Sequence, residues 1–418
     1  MITSSERTRV AMYAQGMVGF GHIRRNASIA QALRQSDLKP AIVMIAEAWQ
    51  AGAIPLPAGA DCVTLPALRR EFDGTYNPRF LDVSDRALIA LRAKVIRTAI
   101  EAFEPDLLIV DHWPLGAALE LARTLALLRQ HGDTRCVLGL RDVLYDPETT
   151  RRFWGDPANM DAIREYYDSV WIYGDPAVYD AVREYDLPRE VAEKVHYTGY
   201  LDQCPRLHLA GTTAPAPMSL PQGRLALCMV GGGHDGDALV EAFFQAELPP
   251  DTTGVVVTGP LMAREIRQRL RRRAARRSRF AVLDFVPETA PLIQRADRII
   301  AMGGYNTVCE VLSFEKHALI VPRVAPEPEQ WIRAERMRDL GLLHVLHPDD
   351  LTPKALTQWL ARDLGAAPAT RRRIDLDGLA RIPALVRDLL GEPVRAVAPA
   401  IPLPTPAPVV SPSSLRYA

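Results

Sequence analysis

The sequence predicts an α/β fold built from two Rossmann-like domains whose parallel sheets face a cleft. Three observations predict it. Short apolar runs of strand length alternate with stretches of helical periodicity through most of the 418 residues, the pattern of parallel strands joined by helical crossovers. The alternation stops at a segment rich in Pro, Ala, Thr and Ser and then restarts, so the chain divides into domain 1–202, linker 203–222 and domain 223–392. Glycine and acid clusters fall where apolar runs end, the edge at which open α/β sheets take ligands.

The elements follow in order. Residues 9–14 form the first strand and 22–35 a helix. Strands at 41–45 and 62–65 precede a long helix, 84–103, which feeds the continuous apolar strand 106–110. Pro114 is expected to open another helix in its first turn, where a missing N–H costs nothing. Strands at 136–140, 170–173 and 195–197 complete the first domain. The second has strands at 225–230, 254–258, 280–283, 298–302, 318–321 and 343–346, and its last helix is expected to pack back on the first domain. Residues 393–418 are rich in Pro and Ala and are expected to be disordered.

Bulk composition excludes some functions. Lys+Arg and Asp+Glu both number 50, a balance that argues against a dedicated nucleic-acid binder. The five cysteines form no CxxC pair, so neither a zinc site nor a disulfide framework is indicated, and a cytoplasmic setting fits. The first nine residues carry no apolar signal region. No apolar run approaches the roughly 20 residues of a spanning helix.

The most informative stretch is 298–330. A strand ends in Gly303-Gly304, a helix is expected from Asn306, and a second strand leads to Glu329-Gln330. Strand, glycine turn and helix together offer backbone N–H groups to an anion. Asn306 or Thr307 can cap the helix. Glu310, one turn in, can accept hydrogen bonds from a sugar's hydroxyls. A ligand with both phosphate and a diol, such as a nucleotide, fits.

Four further clusters lie at strand ends. Gly16 to Gly21 followed by His22 reads either as a tight turn with a helix-capping histidine or as a general base held at the cleft. Asp111 reads either as an N-cap for the Pro114 helix or as the acid that orients His22. Arg141 either binds an acidic group or pairs with Asp142. Gly231-Gly232-Gly233-His234-Asp235-Gly236 reads either as a flexible turn or as an anion nest. Asp375 and Asp377 read as solvated surface on a helical tail, and the basic run 271–279 as an exposed helix face.

Together these motifs resemble the GT-B glycosyltransferases over about residues 9–385. They are most similar to the family-twenty-eight group that includes the peptidoglycan N-acetylglucosaminyltransferase, and within it to predicted bacterial glycosyltransferases. The stretch from Gly303 to Gln330 is the most specific part. The resemblance implies a GT-B architecture whose second domain holds a nucleotide-sugar, a UDP-sugar. It implies Glu310 on the ribose, and Gly231, Gly232, Gly233, Gly303 and Gly304 around the diphosphate, with Asn306 and Thr307 at the helix start. The backbone at Phe285 and Val286 would receive the base, and Gln330 the donor sugar. The acceptor would lie near His22, with Gly19, Gly21 and Arg141 on its side.

No metal or cofactor is implied, because helix dipoles and backbone N–H groups carry the leaving charge. Two departures leave the donor sugar open. His234 follows the glycines where the peptidoglycan enzyme has serine after two glycines, and Trp331-Ile332-Arg333 replaces the usual polar contacts. The expected reaction is inverting transfer with His22 as base and Asp111 holding its tautomer. The alternatives are a nucleotide-sugar 2-epimerase, with several acids beside the donor sugar, or a non-catalytic nucleotide-sugar-binding protein. The acceptor is lipid-linked or a small molecule; a lipid-linked one would bring the protein to the inner membrane face.

Overall fold

The computed structural model describes residues 7–15, 21–47, 54–70, 75–208 and 223–391. Gly16 to Phe20, Gly19 among them, lie outside the described residues, as do linker residues 209–222 and the tail from 392 onward.

The first sheet contains β1 (Arg9–Tyr13), β2 (Ala41–Glu47), β3 (Ala60–Leu65), β6 (Leu107–Asp111), β7 (Arg135–Arg141), β8 (Ser169–Tyr173) and β9 (Val195–Tyr197). Their order is β3-β2-β1-β6-β7-β8-β9 and every neighbouring pair is parallel. A small antiparallel ribbon, β4 (Leu68–Arg70) with β5 (Tyr76–Pro78), stands apart. The second sheet contains β10 (Arg224–Met229), β11 (Thr252–Val257), β12 (Phe280–Leu283), β13 (Arg298–Ala301), β14 (Ala318–Ile320) and β15 (His344–Val345), in the order β12-β11-β10-β13-β14-β15, all parallel. The strands read as unbroken apolar runs because helices cover both faces of each sheet. In β6 all five residues are buried.

Each sheet grows outward in both directions from its first strand. The order reverses between β1 and β6 in one sheet and between β10 and β13 in the other. A crevice opens at such a reversal, beyond the carboxyl ends of the two strands. His22 follows β1 and Asp111 ends β6; the Gly231 loop follows β10 and the Gly303 turn follows β13. The reversal points therefore carry four of the five clusters that the sequence singled out; the fifth, at Arg141, ends β7 one strand further on.

The two halves share one core. A single apolar cluster runs from Val10 and Met12 through Tyr173 and Tyr200 to Tyr305, Leu227 and Ile299. The closing helix, Gly378–Gly391, packs on the Gly21–Gln35 helix of the first domain. Tyr200 N donates to Asp375 O, and Gly378 N to Tyr200 O.

Several expectations are corrected. No helix starts at Pro114: a short 3-10 turn at Ala117–Leu119 comes first and the α-helix runs Ala122–His131. Gly116, Ala118 and Leu119 all have positive φ, and left-handed residues cannot propagate a right-handed helix. Asp375 and Asp377 are not on a helical tail. Asp375 accepts an ion pair from Arg381, and Asp377 bridges to Leu201 where the chain crosses back to the first domain. Within the linker, residues 203–208 hold a 3-10 turn, Cys204–Arg206, and a buried Arg206. The basic run lies partly on the Arg264–Ala274 helix and is largely exposed, as expected, with Arg271 pairing with Asp284 and Arg273 with Glu241.

Candidate functional site

The first wall of the cleft is built on the Gly21–Gln35 helix. His22 in its first turn places Nδ1 2.8 Å from Asp111 Oδ2. The Asp111 carboxylate is fully buried at the end of β6. It caps no helix, which settles that alternative against the N-cap. Arg25 Nη2 donates to Asp111 Oδ1 at 2.5 Å and lies 3.1 Å from His22 Nδ1. Burial alone would push the Asp111 carboxyl up; Arg25 and His22 beside it outweigh burial and hold it below the ordinary carboxylate range. A carboxylate can only accept, so the proton between the two groups sits on His22 Nδ1 and leaves Nε2 as the basic atom.

The second wall starts at Gly303-Gly304. The helix there runs Tyr305–Ser313, one residue earlier than expected, with Gly304 as N-cap and no side-chain cap. Asn306 does not cap: its Nδ2 donates across the cleft to Gly21 O at 2.8 Å. Thr307 lies half-buried in the same first turn. With no side chain folded back on them, the first N–H groups face outward, as an anion site requires. A Cβ on Gly304 or on Gly231 would meet nothing within 4 Å, so the backbone at both turns borders open space. Gly233 differs: its φ is +85° and a Cβ would lie 2.1 Å from Thr258 O, so it is a glycine of the fold. Gly232 O accepts from Leu261 N, and His234 is exposed beside Asp235, which pairs with Arg323.

Glu310 is buried at the seam between the halves. Its Oε1 accepts from Arg206 Nη1 at 2.8 Å and Thr289 Oγ1 at 2.9 Å, with Arg24 Nη1 3.9 Å away. Arg206 also grips Glu288. Arg24 reaches over from the first domain and donates to Val286 O at 2.9 Å and Pro287 O at 3.3 Å. Phe285 is half-buried beside it. Burial, and then repulsion from Arg206, lower the Arg24 pKa against the pull of Glu310 and Glu288. Gln330 Oε1 accepts from both Gly303 N and Arg323 N at 3.1 Å and so holds the glycine turn in shape.

Arg141 does not pair with Asp142. It donates to Val143 O and Leu144 O and lies 3.8 Å from Glu329 of the second domain. Asp142 is taken instead by fully buried Arg333, which also binds Glu329 and Gly303 O. The Trp331-Ile332-Arg333 departure therefore supplies an interdomain latch.

The sequence reading missed Arg24, Arg25, Arg206, Arg333 and Tyr305. One signal was available for two of them. Arg24 and Arg25 are the fourth and fifth residues of a helix with no acid in its first turn, against the dipole. A placement that costs helix stability points to a role off the helix. Among the described residues, no group of three or more His, Cys, Asp or Glu side chains is placed to hold a metal ion, and no helix is long and apolar enough to cross a membrane.

Comparison with known proteins agrees with this layout. Residues 226–372 match the family described as glycosyltransferase family 28 C-terminal domain. A 79-residue stretch is 29% identical to the UDP-N-acetylglucosamine--N-acetylmuramyl-(pentapeptide) pyrophosphoryl-undecaprenol N-acetylglucosamine transferase of Haemophilus influenzae, covering 19% of this chain and 22% of that protein. The match thus spans about a fifth of that relative's length. Among solved structures, the glycosyltransferase SnogD from Streptomyces nogalater superposes with a TM-score of 0.60 at 16% identity, over 92% of this chain and 100% of that one. A putative UDP-N-acetylglucosamine 2-epimerase from Listeria monocytogenes gives 0.56 at 14% identity, over 92% and 96%. At such identities the likeness is one of fold.

Proposed function

From a GT-B scaffold whose second domain is of the family-twenty-eight kind, we propose that the chain is an inverting glycosyltransferase. It moves a sugar from a nucleotide-diphosphate donor, a UDP-sugar, to an acceptor hydroxyl. One observation carries the reading. The two strand-order reversals hold complementary chemistry and are joined by contacts such as Asn306 to Gly21, with a carboxylate-held imidazole on one side and an uncapped, glycine-led helix start on the other.

His22 Nε2 takes the proton of the acceptor hydroxyl while Asp111 stabilises the imidazolium through Nδ1–H. The hydroxyl oxygen bonds to the anomeric carbon as the bond to the diphosphate breaks. The electron pair leaves with the diphosphate, whose charge meets the N–H groups after Gly304 and at Gly231 and Gly232, while Gly233 N–H is already given to Val230 O. Glu310 receives the ribose hydroxyls with an orientation set by Arg206 and Thr289. Val286 O, now engaged by Arg24, receives the base. A lipid-linked acceptor fits the pyrophosphoryl-undecaprenol substrate named for the Haemophilus relative and the exposed Phe80, Leu81, Val83 and Leu119 of the first domain.

The epimerase reading is less well supported. It wants free acids beside the donor sugar, whereas Glu310, Glu329 and Asp235 are each paired with arginine. The test is a thermal-shift screen against nucleotides and nucleotide-sugars, followed by an assay for product. A UDP-sugar should raise the melting temperature, and nucleotide diphosphate should be released slowly to water without acceptor. If no nucleotide shifts the melting curve, the proposal fails. Inversion at C2 of UDP-N-acetylglucosamine with no added acceptor would establish the epimerase instead.

A further inference from the structure

We propose that Arg25 is a positioning residue for the His22–Asp111 pair, and that Tyr305 makes this positioning depend on the two domains being together. Arg25 is buried, and among its polar atoms Nε has no hydrogen-bond partner. The guanidinium is held instead by one carboxylate and two rings. Its Nη2 lies 2.5 Å from Asp111 Oδ1, and its Cζ stands 5.7 Å from the Tyr173 ring and 5.5 Å from the Tyr305 ring. Tyr173 belongs to the first domain, at the end of β8, and Tyr305 to the second. The Tyr305 hydroxyl donates to Tyr173 O at 2.8 Å, closing the cage across the seam.

Tyr305 occupies a telling place in the chain. It is the first residue of the helix that follows Gly303-Gly304, so the backbone turn read as the diphosphate cradle and the ring that steadies Arg25 are adjacent. The same ring lies 5.7 Å from Arg333, the residue that latches onto Asp142. Asp142, Arg333, Tyr305, Arg25, Asp111 and His22 thus form one contiguous chain of contacts from the interdomain latch to the basic imidazole. Burial opposes the charge on Arg25, yet Asp111 and the two tyrosines outweigh it and keep the guanidinium protonated. When the domains part, Arg25 loses one wall of its cage. Asp111 then loses the fixed partner that turns Oδ2 toward His22. The base is aligned only when the donor wall is in place.

Among the described residues, the groups that face His22 are Asp111 from β6, Arg25 from its own helix and the His112 ring, 5.7 Å away between centroids. The inference rests on the transferase reading only for its consequence in turnover. The link itself is read without substrate, from the proton NMR resonance of His22 Nδ1–H in the full chain, which the hydrogen bond to Asp111 holds downfield, assigned with His22→Gln. If no nucleotide binds, the transferase reading fails while this measurement still decides the link.

Arg25→Met should move that resonance upfield and broaden it by faster exchange with water, because Asp111 Oδ2 is no longer held toward His22 Nδ1. Tyr305→Leu should move it in the same direction by less, and Tyr305→Phe, which keeps the ring, should leave it in place. Asp142→Asn, which weakens the latch, should act as Tyr305→Leu does. A folded Arg25→Met protein with an unmoved resonance would overturn the positioning role. Equal resonances for Tyr305→Leu and Tyr305→Phe would overturn the dependence on closure. Should Arg25→Met fail to fold, the Tyr305 pair still decides, because the Tyr305 ring bears on Arg25.

Discussion

On the proposed reaction, the two walls of the cleft work by opposite means. The first-domain wall is made of side chains: His22, Asp111 and Arg25, locked to one another with Asp111 and Arg25 buried. The second-domain wall is made of backbone: Gly231 and Gly304 border open space, and the Tyr305 helix begins without a side-chain cap. The difference follows from what each wall must do. Moving a proton needs one atom of defined tautomer and direction. Meeting the charge of a leaving diphosphate needs several donors spread over several oxygens, which a helix start supplies and a single side chain does not. The first wall should therefore respond to changes of functional group, the second to the addition of a methyl.

The largest effect expected is on the side-chain wall. His22→Ala should lower nucleotide-sugar turnover by about 10²–10⁴-fold, the range of a positioned general base, while nucleotide affinity measured by calorimetry stays near that of the parent. Asp111→Asn should lose nearly as much, because an amide can donate to His22 Nδ1 and stabilise the wrong tautomer. A variant without His22 that keeps a tenth or more of the parent rate would place the chemistry elsewhere.

On the backbone wall, two glycines separate fold from function. Gly233→Ala forces a Cβ to within 2.1 Å of Thr258 O at φ +85°. It should cost about 2 kcal/mol or more in stability, seen as a lower melting temperature. Gly304→Ala places its methyl in open space at φ −63° and ψ 144°, so the melting temperature should hold. Its methyl would stand beside the outward N–H groups, and nucleotide affinity should fall about tenfold, or about 1.4 kcal/mol. Unchanged affinity in a stable Gly304→Ala protein would remove the turn from the anion site.

The sequence made the backbone wall more legible than the side-chain wall. Strand ends and glycine runs are local signals, so all six strands of the second sheet and both glycine turns could be placed from the chain alone. His22 and Asp111 were also visible, since Asp111 ends a strand and His22 closes the glycine run that follows one. What the sequence hid was long-range pairing. Arg333 meets Asp142 across 191 positions and Arg206 meets Glu310 across 104, and no periodicity marks such partners. The helix expected at Pro114 failed for a related reason. Its N-terminal chemistry was right, but the left-handed residues at 116, 118 and 119 are set by packing beneath Tyr13, whose hydroxyl accepts from Ala117 N.

The smallest effect tests whether the division of labour between the walls is complete. Arg24 belongs to the side-chain wall, yet it lies on the backbone that is read as the base site, donating to Val286 O at 2.9 Å and crowding the Glu310 carboxylate. If Val286 O receives the base as proposed, a nucleotide must displace those bonds before it can make its own. Arg24→Met keeps much of the stem's apolar packing and removes the donors. If Arg24 only competes, nucleotide affinity should rise about fivefold, since the net worth of one such hydrogen bond is about 1 kcal/mol. If affinity falls instead, the first domain contributes directly to gripping the donor. The two walls would then be partners in binding as well as in chemistry, and calorimetric titration of UDP into parent and variant decides between the two.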